Sequence, residues 1–284
     1  MDAVLAASDG RQLGVAEFGE PSGTAVLWCH GGPGSRLEPM WLDEAAAAVS
    51  LRLIGLDRPG YGRSTPAPGR TILDVVDDML SIADQLSLEQ FCTVGISTGG
   101  VYAIATAAVA PDRVLGVLAC CSMTDMSWPP GRATMSPAHT HAVWDAPDRD
   151  AAIAAAVAAH GVGGSKMLDG GLDAVLAESD RLLFANRSWM GPAMIGFEQN
   201  FTFGFEGYAD DRLADGPGWT GFDVADVRCP VTVLHGSEDG LVDAIHAQHT
   251  TEIVPGAELV LVPGLGHFSI ETRIIPELSR LLGG

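Results

Sequence analysis

The stretch Phe91-Cys92-Thr93-Val94-Gly95-Ile96-Ser97-Thr98-Gly99-Gly100 decides how this chain is read. An apolar, β-favouring run leads up to Ser97, and an Ala-rich helical run from Gly99 to Ala110 follows it. Between strand and helix stands the pattern G-x-S-x-G, Gly95 to Gly99. A serine in so tight a strand-to-helix turn is strained and presented outward, the arrangement known as a nucleophile elbow. Glycine is needed on both sides because a Cβ there would collide with the neighbouring strand or helix. A serine used this way requires a base, an acid and donors for an oxyanion elsewhere in the chain.

Outward from the elbow, strands and helices alternate. Residues 3–18 read as two short strands joined through Ser8-Asp9-Gly10, and Ala25 to Cys29 as a strand buried on both faces. That strand runs into His30-Gly31-Gly32-Pro33-Gly34, too rich in glycine and proline for regular structure. A helix over Leu37 to Val49, a strand over Arg52 to Leu56 and a helix over Thr71 to Leu86 follow. The last of these carries Ile72, Val75, Val76, Met79, Leu80 and Ala83 on one stripe. Beyond the elbow helix, Val114 to Cys121 is a sixth strand. The rhythm then stops from about Met123 to Asp226, and resumes with strands at Val231 to Leu234 and Glu258 to Val262. Helices are expected at Val242 to Ile253 and Phe268 to Leu282. The pattern predicts an α/β protein with a mostly parallel, doubly wound sheet. Core residues 1–122 and 227–284 are expected to flank a helical cap, 123–226, inserted after the sixth strand.

Bulk properties exclude several classes of function. With 47% apolar residues over 284 positions the chain can bury a large core. A formal charge of -20 repels nucleic acid and anionic membrane, so neither is expected as a partner. The five cysteines, Cys29, Cys92, Cys120, Cys121 and Cys229, are odd in number and lack C-x-x-C spacing, so they read as structural thiols. No metal or cofactor is expected. His139 with His141, and His246 with His249, lack further ligands and read as surface or packing residues. The N-terminal residues show no signal-peptide pattern and no apolar run reaches about 20 residues, so a cytoplasmic protein is the expectation.

The base expected for Ser97 is His267, in Gly264-Leu265-Gly266-His267-Phe268 just after the last strand. The acid expected to orient it is Asp239, after the strand ending near Leu234, with adjacent Glu238 and Asp125 as alternatives. All of these positions follow strand C-termini, where an open α/β sheet gathers functional groups. The oxyanion donors expected are the N–H groups of Thr98 and Gly32, with His30 organising the turn. Phe197, Phe201, Phe203, Phe205, Trp189 and Trp219 are expected in the cap, as core or as substrate contacts.

These residues resemble the α/β-hydrolase family across nearly all of the core. The likeness rests on His30-Gly31-Gly32-Pro33-Gly34, on Asp57-Arg58-Pro59-Gly60-Tyr61-Gly62-Arg63-Ser64, on the Ser97 elbow, and on Asp239 and Gly266-His267. The H-G-G-P-G turn is similar to that of the proline iminopeptidase-like branch. That resemblance implies an acidic cap residue binding a free amine, for which Glu198 and Glu206 are candidates; of the cap aromatics, Phe205 and Trp189 are the substrate contacts expected from the residues themselves. The branch usually carries G-G-S-W-G at its elbow, whereas this chain has Gly95-Ile96-Ser97-Thr98-Gly99. The expectation is therefore a cofactor-free serine hydrolase acting on an ester or lactone of a small acyl substrate. An aminopeptidase with the same triad, and a non-catalytic binding protein on a hydrolase scaffold, are the alternatives.

Overall fold

A computed structural model describes residues 1–136 and 140–283. Its centre is one eight-stranded sheet in the order β1-β2-β4-β3-β5-β6-β7-β8. The strands are β1 (Asp2–Ala6), β2 (Gln12–Gly19), β3 (Thr24–Cys29), β4 (Leu51–Leu56), β5 (Phe91–Ile96), β6 (Val114–Cys120), β7 (Val231–Gly236) and β8 (Ala257–Val262). β1 and β2 pair antiparallel at one edge, and every pairing from β4 to β8 is parallel.

Strand β3 shows why the central strands read as continuous apolar runs. Ala25, Leu27 and Cys29 enter one core layer, while Val26 and Trp28 enter the other. The first layer is covered by α2 (Ile72–Gln85), α3 (Gly99–Val109) and α10 (Ile245–Ile253), the second by α1 (Asp43–Ala48) and α11 (Ile274–Leu281). Each such side chain contributes about 1.5–3 kcal/mol on leaving water, so both faces must be covered. Helix α2 starts where Thr71 and Asp74 form a reciprocal capping box.

Two helices differ from the sequence expectation in the same way. The expected helix over 37–49 is a 3₁₀ turn, Glu38–Leu42, leading into α1, and the expected helix over 268–282 is a 3₁₀ turn, Ser269–Arg273, leading into α11. Pro39 enters the first turn without an N–H to donate. Glu38 of the first turn and Glu271 of the second line the cleft described below.

Between β6 and β7 the described residues contain no strand. They form α4 (Pro129–Thr134), the single turn α5 (Ala142–Trp144), α6 (Arg149–His160), α7 (Glu178–Phe184), α8 (Arg187–Asn200) and α9 (Glu206–Asp215). Val143, Ala152, Ala156, Phe205, Tyr208 and Ala209 pack with Tyr61 as a separate small core. No helix among the described residues is long and apolar enough to cross a membrane.

Candidate active site

Three neighbouring strands deliver their ends to one place. Cys29 of β3 pairs with Gly95 of β5, and Ile96 of β5 pairs with Cys120 of β6. The loops after β3, β5, β6, β7 and β8 therefore share the C-terminal edge of the sheet. Ser97 sits there with φ 51°, a left-handed conformation that costs a non-glycine residue about 1–2 kcal/mol. The turn is closed tightly enough that a Cβ at Gly99 would overlap the Cys29 carbonyl, and one at Gly95 would overlap the backbone of Gly99 and Gly100. Glycine is thus imposed by β3 on one side and by α3 on the other.

Ser97 and His267 line one cleft of about 340 Å³, together with Gly32, Thr98, Arg212 and Leu241. His267 Nδ1 lies 2.7 Å from Asp239 Oδ2. Asp239 is itself held by the N–H groups of Leu241 and Val242, each 2.9 Å from Oδ1. Those bonds explain why α10 begins at Ile245 rather than at Val242: residues 241–242 wrap the carboxylate instead. Burial opposes a charged imidazole at His267, and the Asp239 carboxylate overrides it, raising His267 above the ordinary value of 6.5. Glu238 is exposed, and Asp125 accepts from the N–H groups of Ser127 and Trp219. Asp239 alone of the three candidate acids bonds the histidine.

Ser97 makes no side-chain hydrogen bond among the described residues, and neither do the N–H groups of Gly32 and Thr98. All three residues line the cleft. In this class of site the bond between nucleophile and base tightens when substrate arrives.

Helix α9, which the sequence reading passed over, braces both walls of this site. Arg58 donates to the carbonyls of His30 and Gly31, the latter at 2.8 Å, and so pins the turn that carries Gly32. Arg58 is held in turn by Asp211 at 2.7 Å. The same carboxylate accepts from Arg70 at 2.7 Å, Tyr61 at 2.8 Å and Tyr102 at 2.9 Å. Burial would push Asp211 up, but the charges of Arg58 and Arg70 hold it well below the usual carboxylate range. The next residue, Arg212, donates to Thr98 Oγ1 at 2.6 Å and pairs with Asp215. His30 accepts from the Arg58 N–H and packs edge-on against Tyr61, so it organises the turn from a buried position that keeps it neutral.

The expected substrate contacts in the inserted segment need correction. Glu198 lies on the solvent side of α8, and Glu206 is paired outward with Arg149 at 2.9 Å; neither lines the cleft. Phe205 is buried in the segment's own core against Phe201 and Tyr208. The packing of α8 and α9 decides which way these residues point, a direction that composition alone does not carry. Trp189 does line a second, apolar lobe of about 200 Å³, with Leu37, Trp41, Phe184 and Phe197. Phe203 is exposed, and Trp219 packs on the main core.

Residues that sequence reasoning missed are Glu38, half-buried, and Glu271, buried, both lining the two lobes. Glu38 accepts from Trp28 Nε1 at 2.7 Å and from the Gly31 N–H at 3.0 Å. Burial raises Glu38 to about 6 and Glu271, with the Glu38 charge beside it, to about 8. The only hint in the sequence is an acid four residues past His267 in an otherwise apolar turn.

Among the described residues, Cys121, Asp239 and His267 bring donor atoms within 4.8 Å of one another. Burial drives the Cys121 thiol well above its usual range. All five cysteines are free, and all but Cys229 are buried. His246 bonds Thr124 and Thr134, and His249 stacks on Trp128; His141 bonds the Arg132 carbonyl, while His139 lies outside the described residues.

The family described as alpha/beta hydrolase fold matches residues 24–274 of the chain. A proline iminopeptidase of Neisseria gonorrhoeae is 30% identical over 131 residues, 44% of this chain and 42% of that protein, so the match spans about two fifths of the relative's length. Among solved structures, a thermophilic esterase from Thermogutta terrifontis is similar with a TM-score of 0.72 and 22% identity, over 100% of this chain and 98% of the other. The enol-lactonase from Burkholderia xenovorans is similar with a TM-score of 0.72 and 19% identity, over 99% of this chain and 100% of the other. At those identities the likeness to the two structures is one of fold. Because the family's pattern runs through strands β3 to β8 and the loops that follow them, the chain belongs to the alpha/beta hydrolase fold family.

Proposed function

We propose that the protein is a serine hydrolase that cleaves an ester or lactone of a small-molecule substrate through an acyl-enzyme on Ser97. The observation that carries this reading is the Asp239–His267 pair opening onto the cleft that holds the strained Ser97. Ser97 Oγ attacks the carbonyl carbon while His267 takes its proton, and Asp239 stabilises the imidazolium. The N–H groups of Gly32 and Thr98 receive the oxyanion, at about 3–4 kcal/mol per donor in comparable sites. Collapse breaks the C–O bond, and the leaving alkoxide takes the proton from His267. Water then repeats the sequence, with its proton going to His267 and back to Ser97, releasing the acid.

The match to a proline iminopeptidase favours an aminopeptidase as the second reading. The outward placement of Glu198 and Glu206 counts against it. Turnover of p-nitrophenyl acetate should exceed release from proline β-naphthylamide by at least about 100-fold in kcat/KM. Faster release from the naphthylamide would overturn the ester assignment. A fluorophosphonate probe should label Ser97 at one equivalent; a binding protein with a disarmed triad would stay unlabelled.

The pH profile tests the base. His267 must be neutral to accept a proton, and Asp239 raises its pKa. Activity is therefore fully present above that raised value and lost as pH falls through it. The acid limb of kcat/KM should lie above 6.5, the ordinary histidine value. A limb centred below pH 6 would contradict the Asp239–His267 assignment.

A further inference from the structure

The backbone on either side of His267 is held by the inserted segment rather than by the sheet. The 3₁₀ turn Ser269–Arg273 starts just past the histidine, and Phe268 offers no side-chain cap to it. The first N–H groups of such a turn have no partner within it. Asp180, 88 positions earlier, supplies one: its Oδ1 accepts from the N–H of Phe268 at 3.1 Å and of Ser269 at 2.7 Å. The other oxygen accepts from the Ala177 N–H at 3.2 Å and so ties the carboxyl to the start of α7. On the other flank, Ser179 Oγ accepts from the Gly266 N–H at 3.2 Å and from Ser269 Oγ at 2.8 Å. The approach is close. A Cβ at Gly266 would overlap the Asp180 carboxyl, and one at Gly240, next to Asp239, would overlap the Val175 carbonyl. Phe184, at the far end of α7, meets the Phe268 ring edge-on at 5.1 Å. Asp180 is wholly buried, and no step of the chemistry above uses it.

We propose that Ser179 and Asp180 are positioning residues for the reaction, clamping the loop on both sides of His267 so that its imidazole stays between Ser97 and Asp239. The proposal rests on the serine-hydrolase reading above and accounts for how its base is kept in place. The core holds the two loops together only at their roots, where the Glu238 N–H donates to the Leu265 carbonyl at 2.9 Å. Asp239 bonds His267 through Nδ1 alone, and a ring held by one bond can pivot about it. Restraint of the backbone before and after the ring fixes where Nε2 points. A misplacement of about 1 Å at a reacting group costs about 10²-fold in rate, so the clamp should act on kcat rather than on substrate binding. The inserted segment thus serves the base through α7, as it braces the Gly32 turn through α9.

Two substitutions at one position test this. Asp180→Ala deletes all three bonds, whereas Asp180→Asn separates them. An amide oxygen in the Oδ1 place still accepts from Phe268 and Ser269, while the amide nitrogen meets the Ala177 N–H and cannot accept. On p-nitrophenyl acetate, with rates referred to folded protein by circular dichroism, Asp180→Ala should lose at least about 30-fold in kcat with KM within about threefold. Asp180→Asn should return kcat to within about fivefold of wild type, although its melting temperature also falls. A contact that served stability alone would lower both melting temperatures and leave kcat of the folded protein unchanged. A fluorophosphonate should still label Ser97 to completion in Asp180→Ala, but more slowly. If that variant fails to fold, the Ser179→Ala/Ser269→Ala double variant decides. It removes both hydroxyls that accept from the Gly266 N–H and should lose about tenfold in kcat. A kcat within about threefold of wild type in Asp180→Ala, an Asn variant no faster than the Ala one, or an unchanged double variant overturns the proposal. The serine-hydrolase reading fails separately: in that case the wild-type protein itself neither cleaves the acetate nor is labelled at Ser97.

Discussion

Changing Ser97 to alanine should lower turnover of short p-nitrophenyl esters by at least about 10⁴-fold once the uncatalysed background is subtracted. The substitution removes one oxygen and leaves a Cβ in the same left-handed backbone, so the strain at φ 51° is unchanged. No hydrogen bond of the serine hydroxyl is lost from the described structure. Stability should therefore move by less than about 1 kcal/mol, within the ordinary range for a partly exposed site. Activity and stability should part company here, because on the proposed reading the hydroxyl serves chemistry alone. His267→Ala should cost a comparable factor, and the double variant should be no slower than either single one, since nucleophile and base act as a unit. Initial rates over a range of enzyme concentrations, with thermal melts alongside, give both numbers. Retention of more than a few per cent of wild-type activity in Ser97→Ala would remove this serine from the chemistry.

The largest effect on stability is expected at Asp211, which no motif marks. Its carboxylate takes hydrogen bonds from four side chains, Arg58, Arg70, Tyr61 and Tyr102. Both guanidiniums are almost wholly buried. Asp211→Asn removes their counter-charge without changing the volume. Breaking a buried ion pair from one side costs about 3–5 kcal/mol, because the remaining charge stays in a medium that cannot solvate it. For a chain of this length the melting temperature should fall by roughly 10 °C. A loss of kcat should accompany it, since Arg58 carries the bonds from Asp211 to the carbonyls of His30 and Gly31, and these hold the turn that presents Gly32. Urea denaturation and kcat on p-nitrophenyl acetate measure the two effects. A melting temperature within about 2 °C of wild type, with unchanged kcat, would show that Asp211 braces nothing.

What could be read from the sequence was local. The elbow was legible because strand, turn and helix adjoin within ten residues, and because the glycines beside Ser97 answer to atoms the chain must place close by. His267 and Asp239 were legible because each follows a strand, and parallel strands deliver their ends to one edge whatever the loops contain. The continuous apolar run of β3 announced a strand buried on both faces, because both layers of side chains must leave water. Glu198 and Glu206 went the other way. They were chosen for their charge within an aromatic stretch, but charge does not say which side of a helix faces the sheet. Phe205 shows the same ambiguity, since an aromatic residue satisfies a core as well as a pocket.

By itself, then, the sequence determined the order of strands and helices outside the inserted segment, the turn that strains Ser97, and the loops that carry Asp239 and His267. Those features depend on periodicity, glycine and chain direction, all encoded over a few residues. Only the tertiary structure decided what surrounds them. Asp211 meets Arg58 across 153 positions, and Arg212 meets Thr98 across 114. Glu38 and Glu271 come together between the two lobes from opposite ends of the chain. Such pairings bring charged and polar groups to one cleft, and their energies exist only once water has been excluded by the fold.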